Sequence, residues 1–273
     1  MKKDEQILKA YHNLDFLNSH EARSIRILSE LYEPQKRFKE NNIVDTCVFF
    51  GSARLLSTRD AKKKLNLAKK EVKEKKQGAA KKLTEAEIMM KMAHYYDEAV
   101  ELSKLLTEWS MSLPTEGHRF IVSSGGGPGI MEAANKGAFQ AGGKSIGLNI
   151  SIPFEQFVNK YVKNNLSFEF HYFFTRKFWF IYMAKALIVF PGGFGTLDEM
   201  MEVLTLIQTK KIKKDMKVIV YGEDFWKNII NFDGLIESGV ISKNDMKLFD
   251  FCNTPEEAFG KIKTHFEKHY LSK

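Results

Sequence analysis

The chain has 273 residues, 44% of them apolar and 28% charged, with a formal net charge of +8. That length suits one large α/β domain with a sizeable core and is too short for two of that type. The longest apolar stretch, residues 178–190, is broken by Lys185 and closed by Pro191 and Gly192, so no membrane span fits. The charged start Met1-Lys-Lys-Asp-Glu leads into no apolar leader segment, which makes the cytoplasm the expected compartment. Cys47 and Cys252, the two cysteines, stand in apolar runs without metal-ligand spacing and are expected to be buried, reduced thiols.

The positive charge is local. Residues 59–91 hold 12 Lys/Arg against 5 Asp/Glu, a net of +7, and the remainder is close to neutral. A basic face across the whole domain, the usual footprint of a nucleic-acid binder, is therefore absent from the pattern. The segment reads as a solvated helix or a mobile insertion, and no nucleic-acid or membrane partner is expected.

In chain order, residues 19–33 begin at Ser19 and carry Ile25, Leu28, Leu31 and Tyr32 at helical spacing, so they predict an amphipathic helix that stops before Pro34. A strand over 44–50 follows and breaks into Gly51-Ser52-Ala53-Arg54. A long helical stretch over 60–113 is interrupted near Gln77-Gly78. Only its second half, with Tyr95, Ala99, Leu102, Leu105, Leu106 and Trp109 in register, has the look of a core-packed helix. Further strands are predicted at 120–123, 145–150, 167–173, 186–190, 217–221 and 248–251. Helices are predicted at 128–141, 175–184, 196–209, 224–238 and 255–268.

This alternation predicts an α/β fold, a doubly wound parallel sheet with helices on both faces. The organisation is a helical extension over 1–43 and a main domain over 44–273, with the lysine-rich insertion at about 59–91. In such folds ligands bind beyond the carboxyl ends of the strands, where the strand order reverses.

Three strand-to-helix loops should open on that edge: Gly51-Ser-Ala-Arg54, Ser123-Ser-Gly-Gly-Gly-Pro-Gly-Ile-Met-Glu132 and Pro191-Gly-Gly-Phe-Gly-Thr196. In the third, Gly192, Gly193 and Gly195 can take positive φ and carry no side chain, so backbone N–H groups at the helix start can converge on an anion. Thr196 adds a hydroxyl, and Glu199 a carboxylate one turn further in. A carboxylate repels phosphate, so it serves another part of the same ligand. Neither a Walker loop nor a dinucleotide fingerprint is present, which argues against an ATPase and a standard NAD site.

Between the loops lies His171-Tyr-Phe-Phe-Thr-Arg-Lys-Phe-Trp-Phe180, whose aromatics are expected in the core. Arg176 among them needs an anionic partner, which a phosphate or Glu199 would supply. Glu132 reads either as a ribose ligand or as a favourable charge at a helix N-terminus, with the second reading preferred. The seven histidines are scattered. His265 and His269 have ligand spacing but are expected on an exposed helix face, so no metal site is predicted. No cofactor-binding constellation surrounds Lys177 or Lys185.

The pairing of Ser124–Ala138 with Thr175-Arg-Lys177 and Pro191-Gly-Gly-Phe-Gly-Thr-Leu-Asp-Glu199 resembles the LOG family, Rossmann-like phosphoribohydrolases long labelled possible lysine decarboxylases. The resemblance covers residues 44–251. It implies cleavage of the N-glycosidic bond of a purine nucleoside 5′-monophosphate, AMP or a cytokinin ribotide, to free base and ribose 5-phosphate, without metal or cofactor.

By resemblance, Arg176 and Glu199 are the catalytic pair, and Gly192, Gly193, Gly195 and Thr196 hold the phosphate. Gly125, Gly126, Gly127 and Met131 line the pocket, and Gly51, Ser52, Arg54, Glu132 and Lys177 complete the substrate-binding candidates. A homodimer paired through helices beside the site is also implied. The bond chemistry agrees: oxocarbenium character develops at the ribose, which a carboxylate near C1′ stabilises, or it activates water. Arg176 could hold phosphate or orient Glu199. The alternative from another class is a non-catalytic carrier or sensor of a nucleotide or of molybdenum cofactor, since similar folds do that.

Overall fold

The computed structural model describes residues 8–153 and 158–271. Its elements are α1 (Leu14–Asn18), α2 (Arg23–Glu40), β1 (Thr46–Phe50), α3 (Thr58–Lys73), α4 (Ala79–Met92), α5 (His94–Met111), β2 (Ile121–Ser124), α6 (Ile130–Gln140), β3 (Ser145–Ile150), β4 (Ser167–Phe170) and α7 (Phe173–Met183). There follow β5 (Ala184–Val189), α8 (Phe194–Gln208), β6 (Lys217–Tyr221), α9 (Glu223–Ile229), α10 (Phe232–Glu237), β7 (Asp250–Cys252) and α11 (Pro255–Phe266). The strands form one parallel sheet in the order β4-β3-β2-β1-β5-β6-β7. The chain starts in the middle, winds outward to β4, then returns to β5 on the other side of β1. The order therefore reverses between β1 and β5, as the α/β reading requires.

Both faces of the sheet are buried, which explains why its central strands are continuous apolar runs. Val48, Phe50, Leu187, Val189, Val218 and Val220 point to one face and meet Phe38 of α2, Trp179 and Phe180 of α7, Met200 and Val203 of α8 and Trp226 of α9. The alternate residues Cys47, Phe49, Ala186, Ile188, Ile219 and Tyr221 point to the other and meet α5, α6 and α11. Both cysteines are buried and free, and burial raises both thiols above their ordinary pKa. No described helix is long and apolar enough to cross a membrane.

Four expectations about elements need correction. The helix expected to stop before Pro34 begins instead at Arg23 and runs through that proline to Glu40. Proline removes the N–H that would bond the Glu30 carbonyl four residues back. That carbonyl is satisfied from outside the helix, by the indole Nε1–H of Trp179 at 2.9 Å. The helix expected over 224–238 is two helices, because the backbone becomes extended at Ile230 and the Asn231 side chain accepts from Gly234 N–H to start α10.

The charged half of the long helical stretch is an ordered hairpin of α3 and α4, with Ala61, Ala68, Ala79 and Ala86 buried along its seam. Gly78 makes its turn at φ +75°. The aromatic run is divided by helical periodicity: Tyr172, Trp179 and Phe180 are core, whereas Phe173, Phe174 and Phe178 are exposed.

Candidate functional site

The loops after β1 and β5 flank the switch point, and the loop after β2 stands beside them, so all three glycine-bearing segments meet at one edge. They are tied together by backbone bonds. Ser52 N–H donates to Pro191 O at 3.0 Å, Phe190 N–H to Phe50 O at 2.8 Å, and Ile130 N–H to Ser52 O at 3.0 Å. Beneath the second loop a buried network fixes its shape. Asn159 Nδ2 lies 3.0 Å from Gly126 O, 3.1 Å from Gly127 O and 2.9 Å from Asn135 Oδ1, which also accepts from Ser124 Oγ.

Between the loops is a cavity of about 620 Å³, within the range of small-molecule sites. Of the candidates named from sequence, Gly51, Ser52, Arg54, Met131, Arg176, Gly193, Gly195, Thr196 and Glu199 line it. Gly125 stands just behind: a Cβ there would lie 2.5 Å from Met131 Sδ and 2.7 Å from an Arg176 Nη. Gly126, at φ +73°, packs on Gly147 of β3, and Gly127 shapes the loop through its carbonyl.

The remaining candidates take other positions. Glu132 accepts from Tyr96 Oη at 2.8 Å, in the first turn of α6 where its charge suits the helix dipole. Lys177 Nζ sits among three carboxylates of α8: Asp198 at 2.7 Å, Glu202 at 2.8 Å and Glu199 at 3.8 Å.

The glycines of the third loop work differently from expectation. None of Gly192, Gly193 and Gly195 has positive φ. A Cβ on Gly192 would collide with the Thr196 side chain, and at Gly193 and Gly195 it would project into open space at the mouth of α8. Their use is emptiness over the helix start. Thr196 and Leu197 N–H both turn back to Gly193 O, which leaves Phe194 and Gly195 N–H as first-turn donors without a carbonyl partner among the described residues. No side chain caps this helix. The arrangement suits an anion.

Glu199 is 6% exposed. Burial pushes its carboxyl up to about 7, against the pull of the Lys177 and Arg176 charges, with Glu202 and Asp198 adding to the rise. Among the described residues Arg176 makes no ion pair with Glu199. Its Nε donates to the Leu148 carbonyl at the end of β3, 2.8 Å away, and its guanidinium lies 5.0 Å from the Phe180 ring. Burial lowers its pKa, and the charges of Glu199 and Glu169 oppose that. Lys177 is raised, because its bonds to Asp198 and Glu202 and the charge of Glu199 outweigh the effect of burial.

Residues not singled out from sequence also line the cavity: Phe50, Ala53, Ile150, Ile152, Phe173, Phe194 and Asp198. Phe194, 92% exposed at the start of α8, and Phe173 offer aromatic surface at the rim. Asp198 lies within the quoted third motif. Ala53 and Phe194 lie within the quoted loops and Phe173 within the quoted aromatic run, whereas Phe50, Ile150 and Ile152 carried no motif signal.

Neither lysine suits Schiff-base chemistry. Lys177 is held as a cation by carboxylates, and Lys185 lies near the amino end of β5, the edge opposite the cavity. His265 and His269, expected on an exposed face, are half-buried and face Asp215. Among the described residues no group of three or more His, Cys, Asp or Glu is placed to hold a metal ion.

The parallel sheet and its switch-point cavity define a Rossmann-like α/β protein, with a crevice whose uncapped helix start would suit an anion. The family described as possible lysine decarboxylase matches residues 131–262. Relatives include a probable cytokinin riboside 5′-monophosphate phosphoribohydrolase, LOGL6, of Oryza sativa, 25% identical over 182 residues, covering 66% of this chain and 68% of that protein. The LOG protein of Oryza sativa is 27% identical over 180 residues, with 65% and 69% covered.

Arabidopsis thaliana LOG1 is 25% identical over 178 residues, with 64% and 78% covered. The resemblance carried by the three loops is thereby borne out as a similarity to LOG-family proteins. Among solved structures, the molybdenum cofactor binding protein of Rippkaea orientalis aligns at TM-score 0.43 and 20% identity, covering 62% of this chain and 86% of that one. The molybdenum cofactor carrier protein of Chlamydomonas reinhardtii aligns at TM-score 0.40 and 19% identity, with 66% and 89% covered.

Proposed function

We propose that the protein is a phosphoribohydrolase that cleaves a purine nucleoside 5′-monophosphate, AMP or a cytokinin ribotide, to free base and ribose 5-phosphate. The observation that carries this reading is the Glu199 carboxylate, buried in the wall of a nucleotide-sized cavity one turn from an uncapped helix start. The names of the relatives agree with it.

In this reading the 5′-phosphate takes the Phe194 and Gly195 N–H groups and the Thr196 hydroxyl, with Arg54 at the rim. The ribose C1′ faces Glu199. The bond from C1′ to the base nitrogen breaks with its electron pair going to the base, and the ionised Glu199 stabilises the oxocarbenium character left on the sugar. Water adds at C1′, its proton drawn off by the same carboxylate and passed on to the departed base nitrogen, which yields free base and ribose 5-phosphate and returns Glu199 to its ionised form. Arg176, braced on the Leu148 carbonyl, keeps positive charge beside the cavity. Because the ionised carboxylate is the working form, kcat/KM should rise with pH through about 7.

We further propose a homodimer paired through α7, on which Phe174, Phe178 and Tyr182, at successive turns of one face, are exposed beside the site. The deciding experiment incubates the protein with AMP, GMP, CMP, IMP and isopentenyladenine ribotide and follows free base and ribose 5-phosphate by chromatography. Release that Glu199→Gln and Arg176→Ala abolish supports the hydrolase. Tight nucleotide binding with no release from any of these overturns it and leaves a carrier of a nucleotide or of molybdenum cofactor.

A further inference from the structure

Helix α7 carries Arg176 and Lys177, yet its own sequence supplies no cap. Tyr172 at its N-cap makes no side-chain bond to the first turn. An uncapped start leaves donors to be satisfied from elsewhere. The two N–H groups that lead into the helix, and a hydroxyl of its first turn, are met by one residue 141 positions earlier. Glu30 of α2 accepts from His171 N–H at 2.8 Å through Oε1 and from Tyr172 N–H at 3.3 Å through Oε2. The Thr175 hydroxyl, fully buried, lies 2.5 Å from the same Oε2 and 2.7 Å from Tyr172 O, sharing its proton between them.

The carbonyl of the same residue is the one left free by Pro34, and it takes the Trp179 indole N–H. Glu30 therefore grips α7 at residues 171–175 with its side chain and at 179 with its backbone. Arg176 and Lys177 lie between the two grips. A carboxylate at a helix N-terminus is also favoured by the helix dipole. Around it, Phe38 packs edge-on against Trp179 and Arg37 donates to Ser167 O, so α2 is fixed to the body of the domain.

We propose that Glu30 is a positioning residue of the site: from α2 it caps α7 in place of a local cap and thereby sets where Arg176 and Lys177 stand relative to Glu199. For its kinetic arm alone this rests on the phosphoribohydrolase reading. The charged groups about Glu199 are Arg176 and Lys177 from α7, Asp198 and Glu202 from α8, and Arg54 at the rim. Of these, only the α7 pair depends on Glu30. Loosening the cap moves two cations away from the carboxylate and leaves its acidic neighbours in place.

The test compares the parent with Glu30→Ala, the near-isosteric Glu30→Gln and the neighbouring surface variant Glu33→Ala. Glu199 is titrated by ¹³C-glutamate NMR, its signal assigned with Glu199→Gln, and exchange of the 171–177 amides is followed by mass spectrometry. Glu30→Ala should raise the Glu199 midpoint by about half a unit or more and speed exchange across 171–177. It should also lower kcat/KM by ~10-fold to ~100-fold, with the acid limb moved up in step.

Glu30→Gln, which keeps an acceptor oxygen, should fall between Glu30→Ala and the parent, and Glu33→Ala should match the parent. If Glu30→Ala does not fold, Glu30→Gln decides by the same readings. A folded variant with parental titration and parental exchange overturns the proposal. If the parent releases no base from any nucleotide, the functional reading falls, while the titration and exchange arms still decide the role of Glu30.

Discussion

Glu199→Gln should make the protein more stable while ending its chemistry. The carboxyl has an ordinary pKa of 4.5 and is pushed up to about 7 in the folded chain. Below 4.5 both states hold the proton, and the site costs nothing. As pH rises, the unfolded chain releases the proton first, so folding loses stability progressively until the folded carboxyl ionises near 7. At ~1.36 kcal/mol for each pH unit between the two values, the full cost above pH 7 is ~3 kcal/mol. An amide at this position ionises in neither state and removes the cost, while Lys177 keeps Asp198 and Glu202.

Denaturant unfolding at pH 8 should therefore show Glu199→Gln more stable by ~3 kcal/mol, or ~6–12 °C in Tm for a domain of this size. At pH 5 the gain should fall below ~1 kcal/mol. An equal effect at both pH values, or destabilisation at pH 8, would refute the argument that burial holds this carboxylate at a cost to folding.

Gly195→Ala adds a methyl where the protein itself has open space, so unfolding should show a gain of ~0.5–1 kcal/mol from the glycine removed from a helix, while KM for the nucleotide rises. Trp179→Phe leaves the Glu30 carbonyl without its donor, and urea unfolding should show a loss of ~1–3 kcal/mol. Phe178→Glu places a charge in the exposed aromatic face of α7, and sedimentation should show a dimer for the parent and a monomer for the variant. Removing the α3–α4 hairpin should leave DNA affinity at the same negligible level before and after, measured by titration at low salt.

What could be read in the sequence followed from local pattern. Apolar runs such as Val218–Tyr221 alternate with 3.6-residue stripes, and that alternation alone gives a parallel sheet whose glycine-bearing loops share an edge. The motif around Glu199 was visible because the turn, the helix start and the carboxylate are adjacent in the chain. What was not visible depends on contacts between distant residues. Nothing near Pro34 announces that Trp179 will take the orphaned carbonyl, and nothing near Thr175 announces Glu30.

The conformations of Gly192, Gly193 and Gly195 were misjudged for a related reason. A glycine is compatible with positive φ, with close approach and with empty space, and only the surrounding atoms decide among them. Arg176 stands among aromatics in the sequence, but its bond to a main-chain oxygen of β3 is one that no side-chain motif encodes.

The placement of β1 has a bearing on how the chain is made. It precedes the other described strands in the chain and is a central one in the sheet, and its partner on one side, β5, pairs with it from Ala184 onward. Until then one edge of a largely apolar strand has no neighbour, and helix α2 lacks the α7 surface on which it rests. A nascent chain stopped before β5 therefore exposes an unpaired, sticky strand edge. Such distant pairing is closed late and slowly. Production of this protein should depend on elongation rate and on factors that shield emerging chains, far more than its finished, fully covered sheet suggests.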